Sequence, residues 1–154
     1  MTGRAMTNAA IAIACDHAGL GLKAGLAEML HARGLTVIDL GTHGTASVDY
    51  PDVADALAAA LADGRAERGV LICGSGIGIA IAANRHRHVR AALCHDATSA
   101  RLAREHNDAN VLALGARTTG IEVARDCLDA FLSTAFAGGR HARRVAKLGG
   151  GATP

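Results

Sequence analysis

The sequence predicts an α/β fold: a single-domain, three-layer sandwich on a five-stranded parallel, doubly wound sheet, Rossmann-like in type. Short apolar runs alternate with longer amphipathic stretches about five times, the pattern of strands joined by covering helices. The chain has 154 residues, half of them hydrophobic, which suits one domain with a sizeable core. Right-handed crossovers leave few topologies, and five strands suggest the order 2-1-3-4-5. In that order ligands bind beyond the carboxyl ends of strands 1 and 3, where the winding reverses.

Residues 10–15 (AIAIAC) read as a buried strand. Residues 20–33 follow as a helix, with Leu22, Leu26, Met29 and Leu30 at helical spacing and Gly34 as the stop. Residues 35–40 form the second strand and 41–50 a loop. Pro51 opens a helix at its first turn, running to about residue 63. Residues 69–73 (GVLIC) are the third strand, and the glycine-rich turn 74–78 leads into a helix through residue 83. Strands at 89–94 and 110–114 bracket a helix over 96–105. A helix over 119–131 and a basic final helix over 138–148 complete the domain, which spans 10–148. Residues 1–9 and 149–154 are expected to be poorly ordered tails.

Composition narrows the function. The formal charge of +2 and the absence of Trp, with one Tyr and two Phe, argue against single-strand nucleic-acid binding by base stacking. No apolar run approaches the ~20 residues of a membrane helix, and the N-terminal residues lack a signal-peptide core. Cys15, Cys73, Cys94 and Cys127 show no C-x-x-C pair or zinc-ribbon spacing. The expectation is a soluble cytoplasmic protein with reduced thiols, engaging neither membrane nor nucleic acid.

Three strands end in reactive residues: Cys15-Asp16-His17, Cys73-Gly74-Ser75 and Cys94-His95-Asp96. The first two flank the expected switch point. Gly74-Ser75-Gly76-Ile77-Gly78 stands between a strand and a helix, where glycines let backbone N–H groups approach an anion. It is neither a Walker loop nor the dinucleotide fingerprint. Taken alone, it equally suits a plain chain reversal. Cys73 just before it is either the last buried residue of a strand or a nucleophile or base beside helix-end amides. The segment 106–110 (HNDAN) suits a capped polar turn, although such a turn does not require His106. Arg140 and Arg144, four apart, share a helix face with no acid nearby. They read as a solvated basic face or as a phosphate grip. The Arg85-His86-Arg87-His88 cluster reads as an exposed loop.

Together these segments resemble the ribose-5-phosphate isomerase type B family, which includes the galactose-6-phosphate isomerase subunits. The matching motifs are CDHAG (15–19), DYPD (49–52), GVLICGSGIGIAIAAN (69–84), REHNDANVLALGAR (104–117) and GGRHARRV (138–145). The resemblance implies that Cys73 is the base that moves the substrate proton and that His106 opens the sugar ring. It implies substrate contacts from Asp16 and His17, and a cradle for the reacting end made by Gly74, Ser75, Gly76, Ile77 and Gly78. The Ser75 hydroxyl, where Thr is common, would stabilise the enediolate as a catalytic group. Asn107, Arg117, Arg140 and Arg144 fall on family binding positions, with the arginines at the phosphate end. The family's site lies between two subunits, so a homodimer, or a tetramer built from it, is implied.

The activity implied is aldose–ketose isomerisation of ribose 5-phosphate and ribulose 5-phosphate through an enediolate, in the non-oxidative branch of the pentose phosphate pathway. No metal and no cofactor is expected. Six-carbon sugar phosphates (allose 6-phosphate, galactose 6-phosphate) remain open as substrates. A non-catalytic phosphometabolite-binding module of the same fold is the competing class, disfavoured by Cys73 and His106 together, which binding alone would not need. A metal hydrolase is favoured only by the eight histidines, none of which stands in a ligand pair flanked by acids.

Overall fold

Near-continuous apolar segments form β1 (Ile11–Cys15), β2 (Val37–Asp39), β3 (Arg68–Cys73), β4 (Ala91–Leu93) and β5 (Val111–Gly115). All neighbouring pairs are parallel. The computed structural model describes residues 10–149. Residues 1–9 and 150–154, expected to be tails, lie outside the described residues, whereas Gly149 caps the last helix. The connecting helices are α1 (Leu20–Ala32), α2 (Tyr50–Ala62), α3 (Ile77–Asn84), α4 (Ala97–Asn107), α5 (Ile121–Ser133) and α6 (Arg140–Leu148). A single 3-10 turn over His17–Gly19 precedes α1. Among the described residues no helix is long and apolar enough to cross a membrane.

The doubly wound parallel sheet is as expected, but its order is β2-β1-β3-β5-β4, not 2-1-3-4-5. β5 inserts between β3 and β4, and two physical causes combine. Every residue of β1, β3 and β5 is buried, so these strands belong in the middle. β2 and β4 are short and largely half-buried, as edges are. The crossovers agree. α2 and α3 pack on one face, where the chain steps from β2 past β1 to β3 and then outward to β4. α1, α4 and α5 pack on the other, where it steps back from β1 to β2 and from β4 to β5. All four crossovers therefore share one hand. With α4 on the face of α1, a fifth strand placed beyond β4 would need the opposite hand.

Strand alternation divides the core. Ile11, Ile13, Val70, Ile72, Leu112 and Leu114 pack with Leu26, Leu30, Leu128 and Phe131 of α1 and α5. Ala12, Ala14, Leu71 and Ala113 pack with Leu57 and Ile79. The small side chains on this second face admit the alanine-rich α2 and α3 closely.

This arrangement fixes where each candidate group lies. The strands end at Cys15, Cys73 and Gly115 on one edge of the layered sheet. Each covering helix runs back, so α4 delivers His106 and Asn107 to the opposite edge, where β5 begins. A strand of this length rises roughly 15 Å.

Candidate active site

β3 ends in Cys73, which is only 4% exposed. The chain then turns sharply, with Gly76 at φ +78°, and enters α3. A Cβ on Gly76 would lie 2.5 Å from Leu93 Cδ1 and 2.8 Å from the Leu114 carbonyl carbon, so this turn accepts only glycine. The turn aims the Gly76 N–H at the Cys73 sulfur, 3.2 Å away. The other cysteines are held the opposite way. Cys15 and Cys94 donate from sulfur to the carbonyls of Thr42 and Ala92. Burial pushes the thiols of Cys15 and Cys94 up, and that of Cys127 up to about 11. Among the four, Cys73 is the sulfur that receives a backbone donor, the polarity a thiolate needs.

Ser75 and the first turn of α3 complete this rim. The Ser75 Oγ accepts the Ile77 N–H at 3.2 Å, which ties the cradle loop to the start of the helix. The Ser75 O–H remains to donate. The N–H groups of Gly78 and Ile79, in the first helical turn, have no intrahelical acceptor. The β5–α5 loop clasps the same turn. Ala116 N–H donates to the Cys73 carbonyl and Arg117 N–H to the Gly74 carbonyl, both at 2.9 Å. The Arg117 side chain lies along Gly74, 3.6 Å from where a Cβ would be.

Asp16 and His17 follow β1 in the neighbouring position. Asp16 is buried, and its Oδ1 accepts the Ala18 N–H at 2.9 Å, capping the 3-10 turn. The His17 Nδ1 accepts the Val48 N–H at 3.2 Å, which leaves the ring N–H on Nε2. Both residues line an open cleft of roughly 450 Å³ with residues 47–52.

Two residues of this rim escaped the sequence reading. Tyr50, the chain's one tyrosine, lies over Gly78, where a Cβ would come 2.6 Å from its ring. Its signal was its place in DYPD, just before the helix-opening Pro51. Lys23 is 5% exposed, and its Nζ donates to Asp39 Oδ1 and the Thr42 carbonyl, both at 2.7 Å. That ties residues 39–42 against the end of β1, where Cys15 N–H donates to the Gly41 carbonyl at 2.6 Å. Its signal was a lysine at helical spacing from Leu26 and Leu30, on the buried stripe.

The remaining candidates form a second group. His106 ends α4 and stacks on His141 of α6, with ring centroids 4.3 Å apart and planes at 12°. Arg140 and Arg144, both exposed, flank His141 on α6, and Asn107 is exposed beside His106. The linker into α6 is held by the Ala137 N–H, which donates to the Glu105 carbonyl at 3.0 Å. The fold thus brings Cys73, Ser75, Arg117, Asp16 and His17 to one edge of the sheet. It carries His106, Asn107, Arg140 and Arg144 to the other. Within one chain the two groups do not meet.

Comparison with known proteins identifies the family. The family model described as Ribose/Galactose Isomerase matches residues 11–148. The chain is 47% identical over 135 residues to ribose-5-phosphate isomerase B of Escherichia coli, covering 88% of this chain and 91% of that one. It is 46% identical over 140 residues to D-erythrulose-4-phosphate isomerase of Pectobacterium atrosepticum, covering 90% and 92%. The solved ribose-5-phosphate isomerase B of Clostridium thermocellum superposes with a TM-score of 0.90 at 51% identity, covering 92% of this chain and 95% of that one. A match of this extent, over a fold that ends its third strand in Cys73 and its fourth helix in His106-Asn107, makes the chain a member of the ribose/galactose isomerase family and an isomerase.

Proposed function

We propose that this enzyme interconverts ribose 5-phosphate and ribulose 5-phosphate, with Cys73 as the carbon base and His106 as the ring-opening group. The observation that carries the reading is the Gly76 N–H aimed at the Cys73 sulfur, in a turn open to the helix-end amides of α3. His106 takes the proton from the C1 hydroxyl and returns one to the ring oxygen as that C–O bond breaks, giving the open aldehyde. The Cys73 thiolate then removes the C2 proton, and the electron pair moves onto the C1 carbonyl as the enediolate forms. Transfer of the C2 hydroxyl proton to the C1 oxygen, with return of the proton held on Cys73 to C1, then gives the ketose. The Ser75 O–H and the free first-turn amides of α3 face the enediolate oxygens. Asp16 and His17 orient the sugar hydroxyls from the adjoining cleft. Arg140 and Arg144, with Arg117, hold the phosphate, and this remote binding places the reacting carbons.

The site on this reading requires two chains. Cys73 and His106 lie at opposite edges of one sheet, so the second copy supplies His106, Asn107, Arg140 and Arg144. The exposed Ile77 (54%) and Ile81 (59%), one turn apart on α3 beside the Cys73 turn, form an apolar surface suited to that copy. The enzyme acts in the cytoplasm.

A four-carbon substrate is the second reading, favoured by the relative named for D-erythrulose 4-phosphate. Turnover measured on four-, five- and six-carbon aldose and ketose phosphates decides between them. The expected result is the highest kcat/KM on ribose 5-phosphate. A larger value on a four- or six-carbon phosphate rejects the substrate and keeps the reaction class.

A further inference from the structure

His141 stacks face to face on His106, bridging α4 and α6 beside both phosphate arginines. We propose that His141 is a positioning residue for ring opening: its imidazole fixes the plane of the His106 ring toward the sugar. The inference rests on the ring-opening role assigned to His106 above and adds a residue to it.

Three features support the assignment. First, His106 is the penultimate residue of α4, two before Asp108, which takes a left-handed φ of 46° as the helix ends. A side chain at such an end has little helix around it to limit its rotamers, so the stack supplies the constraint. Second, the stacking partner sits on a different element, and α6 also carries Arg140 and Arg144. The stacking partner and the phosphate grip therefore share one helix. Third, the surroundings of the pair favour the neutral form of the partner ring. Partial burial comes first, and the neighbouring His106 ring and the Arg140 and Arg144 guanidiniums add to it in pushing His141 below the ordinary histidine range; Glu105 on α4 opposes them. A neutral His141 can stack on His106 whether or not His106 carries its proton. Two protonated rings would repel.

Ring opening can be read apart from isomerisation, because the anomers of ribose 5-phosphate exchange through the open chain. The experiment uses the Cys73→Ala enzyme and measures anomer exchange by NMR with His141 intact, His141→Phe and His141→Ala. The expected result is that His141→Phe, which keeps a ring to stack on, retains exchange within about three-fold. His141→Ala should lose about ten-fold or more, the scale on which misplacing a proton-transfer group acts. A pH series adds a readout that a structural role would not move. Exchange should fall at low pH with His141 and fall less in His141→Phe, whose ring takes no charge. Equal exchange in all three chains, or equal losses in Phe and Ala, overturns the inference. If the chain with His141 intact accelerates no exchange, or His106→Asn leaves it undiminished, the ring-opening role of His106 falls first and the inference with it.

Discussion

The Cys73 sulfur accepts the Gly76 backbone N–H at 3.2 Å, whereas the Cys15 sulfur, at the end of the neighbouring strand, donates to a carbonyl. Two thiols at adjacent strand ends thus sit in opposite electrostatic surroundings. Cys73→Ala is expected to lower kcat by about 10²–10⁴-fold, the usual contribution of a general base. Ala at Cys15, Cys94 or Cys127 should lower stability and leave kcat near the parent value. Steady-state assays on the four single variants, with thermal unfolding, test the contrast; comparable kcat losses at Cys15 would dissolve it.

Tyr50 and Gly78 are coupled by contact. Gly78→Ala places a methyl against the ring and should lower both stability and kcat, since the same turn carries the α3 amides. Adding Tyr50→Ala removes the obstacle. The double variant should recover stability relative to the sum of the singles, with a coupling of roughly 0.5–3 kcal/mol in a double-mutant cycle. Additive effects would show that the loop yields without Tyr50.

Arg140→Ala/Arg144→Ala should raise KM for ribose 5-phosphate ten-fold or more, since each lost charge-assisted contact is worth about 1.5–3 kcal/mol. The kcat should fall less. Mixing this weakly binding chain with the inactive Cys73→Ala chain, assayed at substrate well below the raised KM, tests the shared site. After subunit exchange, a mixed dimer holds one site with both groups intact, and activity should return. No recovery after proven exchange would rule out sites built from two chains.

Lys23→Met should release residues 39–42 from β1. The Asp39 carboxylate and the Thr42 carbonyl each lose a donor, at a cost of about 1–3 kcal/mol. Urea unfolding reads the loss, and hydrogen exchange should locate it at the Gly41 and Thr42 amides. An unchanged midpoint would mean that the loop is held without the lysine.

Alkaline pH should destabilise the fold through Cys127. Its folded value, near 11, stands above the ordinary 9.0, so the folded chain favours the neutral thiol. That contribution is complete below pH 9 and is lost as pH rises toward 11. Cys127→Ala should flatten this part of the pH–stability curve. The check is a series of urea midpoints across the window, and an unchanged slope would assign the alkaline loss elsewhere.

Local features were legible along the chain. An apolar strand, a glycine turn and a helix in succession announce the Cys73 loop, and the four-residue spacing of Arg140 and Arg144 places them on one helix face. The resemblance to the family implied residue roles for these segments. The three central strands β1, β3 and β5 were equally legible, because a strand buried on both faces must be apolar throughout. Which strand lies where was set by packing in three dimensions. The outward step to β4 and the return to β5 depend on α4 packing beside α5, a preference spread over two distant helices. Tyr50 meets Gly78, and Lys23 meets Asp39 and Thr42, through space rather than along the chain, so no spacing encodes them. The separation of Cys73 from His106 also emerged only there: a parallel strand and the helix that returns from the sheet end at opposite edges, whatever their sequence.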